Sequence, residues 1–226
     1  MPRPSVLLSC AMSIDGYIDD TTPERLLLSN AEDFDRVDAV RATCDAILIG
    51  ANTIRKDNPR LIVNSPERRA QREARGLPAH PLKVTVTASG NLSPDLKIWH
   101  HGGDKVVYCT DAALAQLTGQ LGDLADIVAL GPAVDLAAML DDLGQRGIGR
   151  LMVEGGSEIH TQFLTQDLAN ELQLAIAPFF VGDPTAPRFI RPGTFPHGPT
   201  NRMTLEAVEA VGDVCLARYQ LHFGHV

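Results

Sequence analysis

The stretch Gly149 to His160, GRLMVEGGSEIH, ends an apolar run with a carboxylate, two glycines and an apparent helix. A strand that only fills a core has no need of such an ending. Glycines let the chain turn sharply and bring its N–H groups close to a ligand, and a helix start favours negative charge, so the expected guest is a phosphate. Glu154 reads either as a carboxylate capping nearby amides or as an acceptor for a polar substrate group. Gly155-Gly156 reads either as a tight strand-to-helix turn or as the seat of a dinucleotide pyrophosphate, with Ser157 adding a hydroxyl.

Two other stretches have the same form. GANTIRKDNPRL, Gly50 to Leu61, follows a second apolar run and offers the Thr53 hydroxyl and the Asp57 carboxylate to a sugar or amide, unless Asp57 and Asn58 only set up the turn at Pro59. SIDGYIDD, Ser13 to Asp20, follows a first run ending at Met12, and its Asp15-Gly16 pair is a strong turn signal. In an open α/β sheet ligands bind outside the carboxyl ends of strands, so three such loops are expected to share one cleft. Arg41 reads as a solvated cation near a helix end, or as a phosphate contact, the former being favoured by its position. His100-His101 has no acidic or cysteine partner nearby and reads as a loop, so no metal site is expected. The sequence lacks G-x-S-x-G, Walker and H-E-x-x-H patterns, which removes the commonest hydrolase, NTPase and zincin readings.

The elements that must position these loops follow from periodicity. PSVLLSCAM, DAILIG, LKVTVTAS, KVVYCT, ADIVAL and GRLMVEGG read as buried strands, with RLIV as a short strand after a turn-rich stretch from Ala51 to Pro59. Helices are expected over SNAEDFDRVDAVRATC, capped by Ser29 or Asn30 and burying Phe34, Val37, Val40 and Cys44; from a cap at Asp111; along Leu136, Met139, Leu140 and Leu143; and over about 156–166. The polar arm as far as about Pro81 is expected to be mobile. NELQLAIAP, MTLEAVEAVG and DVCLARYQLHF read as antiparallel edge strands, and the Pro/Gly-rich insert 181–201 as a surface loop or flap. The fold class is therefore α/β, a mostly parallel sheet flanked by helices with antiparallel C-terminal edge strands, in one domain over 1–226.

Composition narrows the partners. The 226-residue chain is 44% hydrophobic and 21% charged with a net charge of −8, so it can bury a sizeable core, and a nucleic-acid partner is not expected. Any anionic ligand must be bound locally. Cys10, Cys44, Cys109 and Cys215 lie in apolar runs with no C-x-x-C pair and read as buried small hydrophobes. No apolar run approaches the roughly 20 residues of a membrane span, and a cytoplasmic location is expected.

Taken together, AMSIDGYI, SNAEDFDRVDAVRATCDAILIGANTIRKDNPRLIV, LMVEGGSEIHTQFL with ANELQLAIAPFFVGD, and VGDVCLARYQL resemble, in order, the pyrimidine reductase domain of riboflavin biosynthesis, the RibD C-terminal domain family, whose fold is that of dihydrofolate reductase. The resemblance implies an NADPH-dependent reductase that transfers hydride to C1′ of a ribosylaminopyrimidine 5′-phosphate, converting ribosyl to ribityl. It places Met12, Thr53, Asp57, Gly155, Gly156, Ser157, Glu158, Ile159 and the run on to Gln162 at cofactor positions, with Ala88 and Ser89 by the adenosine half. Arg41, Leu61, Asn64 and Glu154 fall at substrate positions, and Asp57 and Glu154 are the implied catalytic pair. It further implies a homodimer through the late strands. Two departures stand out: Ser9 and Asn64 occupy positions where the family often carries cations, for which Arg25, Arg41 or Arg60 could substitute. No zinc deaminase motif precedes the reductase stretch, so deamination is not expected. Two alternatives stay open: a dihydrofolate-reductase-like or other pterin reductase, whose anchoring acid would have to be found among Glu32, Asp33 and Asp35, and a non-catalytic dimeric NADPH-binding protein.

Overall fold

The computed structural model describes residues 1–222, in the order β1 (Ser5–Ser13), α1 (Ala31–Thr43), β2 (Ala46–Gly50), α2 (Ala51–Asp57), α3 (Pro66–Ala74), β3 (Leu82–Thr87), α4 (Lys97–His100), β4 (Lys105–Cys109), α5 (Asp111–Leu121), β5 (Asp126–Ala129), α6 (Leu136–Gln145), β6 (Arg150–Val153), α7 (Ser157–Thr165), β7 (Glu171–Ala177), β8 (Thr204–Val211) and β9 (Val214–Gln220). Phe223, at the expected end of the last strand, lies outside the described residues, as do the other residues after 222. Contacts divide the chain into two compact units, one of Met1–Pro4 and Asp38–Met152, the other of Ser5–Val37 and the chain from Val153 on.

In the first unit the strands lie in the order β5-β4-β3-β2-β6. The pairings β2 with β3, β3 with β4 and β4 with β5 are all parallel, with Ile49 beside Thr85 and Val107 beside Ile127. Every residue of β2 is buried, which is why the strand reads as an unbroken apolar run and not as an alternation. Ile47, Ile49, Ile54, Leu61, Trp99 and Leu117 share one apolar cluster. Helix α6 buries the stripe Leu136, Met139, Leu140 and Leu143, as its spacing predicts, and the Asp135 carboxylate caps it by accepting from the amides of Ala137 and Ala138 at 2.8 and 3.0 Å.

Several expectations for this unit are corrected. Asp111 is not the cap of α5 but its first residue, an acid in the first turn, with Thr110 at the cap position. The stretch after β2 is a helix, α2, closed by Asn58 at φ 43°. The expected strand RLIV is absent, and Leu61 sits at φ 51°. Charged and polar side chains take the backbone groups there that a neighbouring strand would have taken. Lys83 Nζ donates to the Arg60 carbonyl at 2.7 Å, Arg41 to that of Ile62 at 3.1 Å and Arg69 to those of Val63 and Asn64 at 3.0 and 2.6 Å. His80 Nδ1 accepts from the Val63 amide at 3.2 Å, and Asp38 accepts from the amides of Asn64 and Ser65. The arm expected to be mobile contains α3, capped by Ser65 and docked through Arg72, a buried residue that donates to the carbonyls of Ala42, Cys44 and Pro78 at 2.7 to 2.9 Å. His100 closes α4 and does not lie in a loop, and its ring bonds the Pro94 carbonyl at 2.8 Å.

In the second unit the order is β1-β7-β9-β8, with β1 and β7 parallel and the two later pairings antiparallel, as the C-terminal patterning predicts. The insert 183–201 forms no helix or strand. Asn30 is the α1 cap, accepting from the Asp33 amide at 2.8 Å. Of the apolar face expected for α1, Cys44 is buried and Val37 and Val40 are half-buried, but Phe34 is 43% exposed, and the acids Asp33 and Asp38 are buried as well. Asp33 can be buried because Arg36 pairs with it at 2.7 Å and the Ser29 hydroxyl donates to it at 2.5 Å. Cys10, Cys44 and Cys109 are buried, but Cys215 on β9 is exposed. No helix among the described residues is long and apolar enough to cross a membrane.

Candidate active site

In the second unit, β6 passes into α7 through Gly155 at φ 132° and Gly156 at φ 79°, backbone regions that side chains rarely adopt. Gly156 is the N-cap and offers no side chain to the helix end. The first intrahelical bond is donated by the His160 amide to the Gly156 carbonyl at 3.1 Å, so the N–H groups of Ser157, Glu158 and Ile159 point out of the helix. The sequence predicted this open, electropositive helix start. The Ser157 hydroxyl, however, donates to the Arg188 carbonyl, so toward an anion Ser157 presents its amide. Glu154 is half-buried immediately before the turn.

The loop after Met12 is tightly built within the same unit. The Ser13 hydroxyl donates to Asp15 at 2.5 Å and accepts from the Tyr17 amide at 3.0 Å, while Asp15 also accepts from the amides of Val181 and Gly182 at 3.1 and 2.8 Å. Burial pushes the Asp15 carboxyl up, but the Ser13 hydroxyl and these amides outweigh it and hold it below the usual carboxylate range. Asp15 therefore serves the turn, the structural role its Asp-Gly context predicts.

Two features of this unit were not legible in the sequence, the first being the environment of His160, a residue of the run that the resemblance gives to the cofactor. His160 is fully buried, neither ring nitrogen has a hydrogen-bond partner among the described residues, and burial pushes its pKa down to about 4. Its Nε2 is the atom nearest the open side of Gly155, 3.4 Å from where a Cβ would stand, and its ring lies 5.1 Å from that of Phe189. The available signal was a polar residue inside the buried stripe Ile159, Phe163, Leu164. Arg188 is the second, stacked 4.4 Å over the ring of Tyr17.

The first unit holds the other expected site residues. Thr53 and Asp57 lie half-buried on α2. Asn58, not Asp57, makes the turn before Pro59, since it is the left-handed C-cap and its side chain accepts from the Lys97 amide at 2.8 Å. Leu61 packs its side chain into the apolar cluster, so only its backbone remains for a ligand. Arg41 is half-buried and bonded to Ile62, which corrects the solvated-cation reading. Asn64 donates to Asp38 at 3.1 Å and accepts from Arg60 at 3.4 Å. Ala88 and Ser89 are exposed just beyond the carboxyl end of β3.

Comparison with known proteins places this arrangement. Residues 4–217 match the RibD C-terminal domain. A 2,5-diamino-6-ribosylamino-4(3H)-pyrimidinone 5′-phosphate reductase from Archaeoglobus fulgidus is 31% identical over 93% of this chain and 95% of its own length, and the protein of that name from Methanothermobacter thermautotrophicus is 35% identical over 80% of each. Among solved structures, a deaminase/5-amino-6-(5-phosphoribosylamino)uracil reductase from Thermotoga maritima superposes with a TM-score of 0.79 at 23% identity, covering 97% of this chain and 57% of that one. A pyrimidine reductase-like protein from Corynebacterium diphtheriae gives 0.78 at 22% identity, covering 97% and 92%; both likenesses speak to the fold. With the family match running through β1 and both glycines of the α7 turn and into β9, the chain belongs to the RibD C-terminal domain family.

Proposed function

We propose that the protein is an NADPH-dependent reductase acting on 2,5-diamino-6-ribosylamino-4(3H)-pyrimidinone 5′-phosphate, reducing C1′ so that the ribose opens to a ribityl chain. The observation that carries this reading is the end-to-end similarity to stand-alone reductases of that name, 95% of the length of one being covered. The α7 turn fits the cofactor. Two glycines leave no side chain in front of three outward N–H groups, which is what a pyrophosphate needs. When bound, the nicotinamide supplies the hydride. The chain contributes the Gly155 to Ile159 backbone to hold the phosphates, Met12, Thr53, Ala88 and Ser89 to the rest of the cofactor, Arg41, Leu61 and Asn64 to the substrate, and the carboxylates Asp57 and Glu154 to orient the reacting groups and manage the proton that the ring oxygen takes up. A pterin reductase is disfavoured because Asp33, the buried one of the three candidate acids Glu32, Asp33 and Asp35, is already engaged by Ser29 and Arg36. The exposed Leu205 and Val208 on β8 support a homodimer through the late strands.

Purified protein mixed with NADPH and, separately, the diamino and the deaminated ribosylaminopyrimidine 5′-phosphate tests this by the loss of nicotinamide absorbance. Oxidation with the diamino substrate is expected; oxidation only with the deaminated one would correct the substrate, and none with either would overturn the reductase reading. Asp57→Asn is expected to lower kcat by at least about a hundredfold, the lower end of general acid–base contributions, and to leave NADPH affinity near wild type.

A further inference from the structure

The proline-rich insert is tied to the loop after β1 by a backbone bridge. The Ile18 amide donates to the Pro187 carbonyl and the Phe189 amide to the Gly16 carbonyl, both at 2.9 Å, making an antiparallel bridge between Tyr17 and Arg188. Ala186 and Phe189 are buried, the Arg191 amide donates to Thr161 Oγ1 at 2.9 Å, and Arg191 pairs with Glu158 at 3.3 Å. The segment thus lies against the first turn of α7, with the Arg188 carbonyl on the Ser157 hydroxyl.

Arg188 itself is held in an unusual way. Its guanidinium stacks over buried Tyr17, Nη2 donates to the tyrosine hydroxyl at 2.8 Å and Nη1 donates to the Asp15 carbonyl at 3.3 Å. No carboxylate pairs with it among the described residues. In a chain of net charge −8, an exposed cation fixed by neutral groups, on a residue whose own carbonyl sits on the Ser157 hydroxyl at an open helix N-terminus, is placed for an anion. An independent sign of a ligand is His160, fully buried with both nitrogens unpartnered and Nε2 aimed at the Gly155 turn. Buried polar atoms normally have partners, and a phosphate or the water it orders at that turn would supply one.

We propose that Arg188 is an anion-binding residue of this site, its guanidinium clamping the pyrophosphate bridge of the cofactor against the N-terminus of α7. The assignment rests on the reductase reading. It also gives the insert a purpose: Tyr17 and the bridge hold the cation in place before the ligand arrives, so little side-chain order is lost on binding.

The test is fluorescence titration of wild type, Arg188→Met, Arg188→Lys and Tyr17→Phe with NADPH and with NADH, alongside KM for the pyrimidine and a thermal melt. Arg188→Met is expected to weaken both dinucleotides by about ten- to a hundredfold, the loss of one charge-assisted bond, with the pyrimidine KM within about twofold of wild type. Arg188→Lys should recover part of the affinity, and Tyr17→Phe, which keeps the ring and frees the guanidinium, should lose less than Arg188→Met. Unchanged dinucleotide affinity in Arg188→Met would overturn the assignment. So would weakening of NADPH alone, which would mean the 2′-phosphate, or a rise confined to the pyrimidine KM. Wild type that binds neither dinucleotide would overturn the reductase reading as well, an outcome distinct from tight binding indifferent to Arg188.

Discussion

His160 shows what a single buried group does to the energetics. Burial takes its pKa down to about 4 from an ordinary 6.5, so the folded state refuses a proton that the unfolded chain accepts. The histidine therefore has no pH-linked cost above about pH 6.5, and as pH falls toward 4 protonation of the unfolded chain lowers stability by about 3 kcal/mol at 1.36 kcal/mol per pH unit. Urea unfolding of wild type and His160→Phe between pH 7 and 4.5 checks it. The variant should match or exceed wild type at pH 7, because an unpartnered buried group is removed, and should lack this acid-side decline. Identical slopes would mean that the imidazole finds a partner in solution. Lys83 behaves differently although it too is buried: desolvation pushes its pKa down to about 7, yet carbonyls of Arg60, Ile98 and His101 at 2.7 to 3.1 Å accept its three donors and favour the charged form. Lys83→Met should cost roughly 3 kcal/mol by stranding those carbonyls, measured as a drop in the denaturant midpoint.

At the scale of elements, the segment 60–65 and α3 form by the same means, polar side chains replacing secondary-structure partners. Arg72 fastens α3 through three carbonyls, so Arg72→Met is expected to destabilise by about 3 kcal/mol and to accelerate amide exchange across 66–74 before the rest of the first unit. Ser65→Ala removes the cap that receives the Arg68 amide and should cost only about 1 kcal/mol. Uniform exchange across the unit in Arg72→Met would show that α3 is no separate layer of stability. The signals for α3 were present in Ser65-Pro66-Glu67, a cap, a first-turn proline and an acid, but the dense arginines that follow disguised its buried face.

Over the whole molecule, a net charge of −8 repels anions at long range, so every phosphate contact has to be local: an open helix end, a glycine turn, a cation held by neutral neighbours. The β8 strand carries Leu205 and Val208 more than half exposed, and the proposed homodimer would cover them. Val208→Lys should therefore shift wild-type dimer to monomer in sedimentation equilibrium at micromolar concentration. A wild-type monomer there would remove the dimer from the proposal.

The sequence by itself determined the strands, because β2 and its neighbours are buried on both faces and need unbroken apolar runs, and it determined the α7 turn, because only glycine takes φ 132° and 79° at no steric cost. It also marked the α6 stripe and the turn at Asp15-Gly16, since both follow from local spacing, although the bonds of Asp15 to the Val181 and Gly182 amides come from the far end of the chain. Tertiary structure alone decided the rest. Whether Arg41 is solvated, whether 60–63 is a strand, and which face of α1 is buried depend on partners far along the chain, Ile62, Lys83, Arg69 and Asn64 among them. Arg188 and His160 belong to the same class: a cation is informative only when its neighbours prove uncharged, and a histidine only when it proves to be buried alone. Hydrophobic periodicity is a local record of burial, whereas the choice of polar partner is made between segments that meet only once the chain has folded.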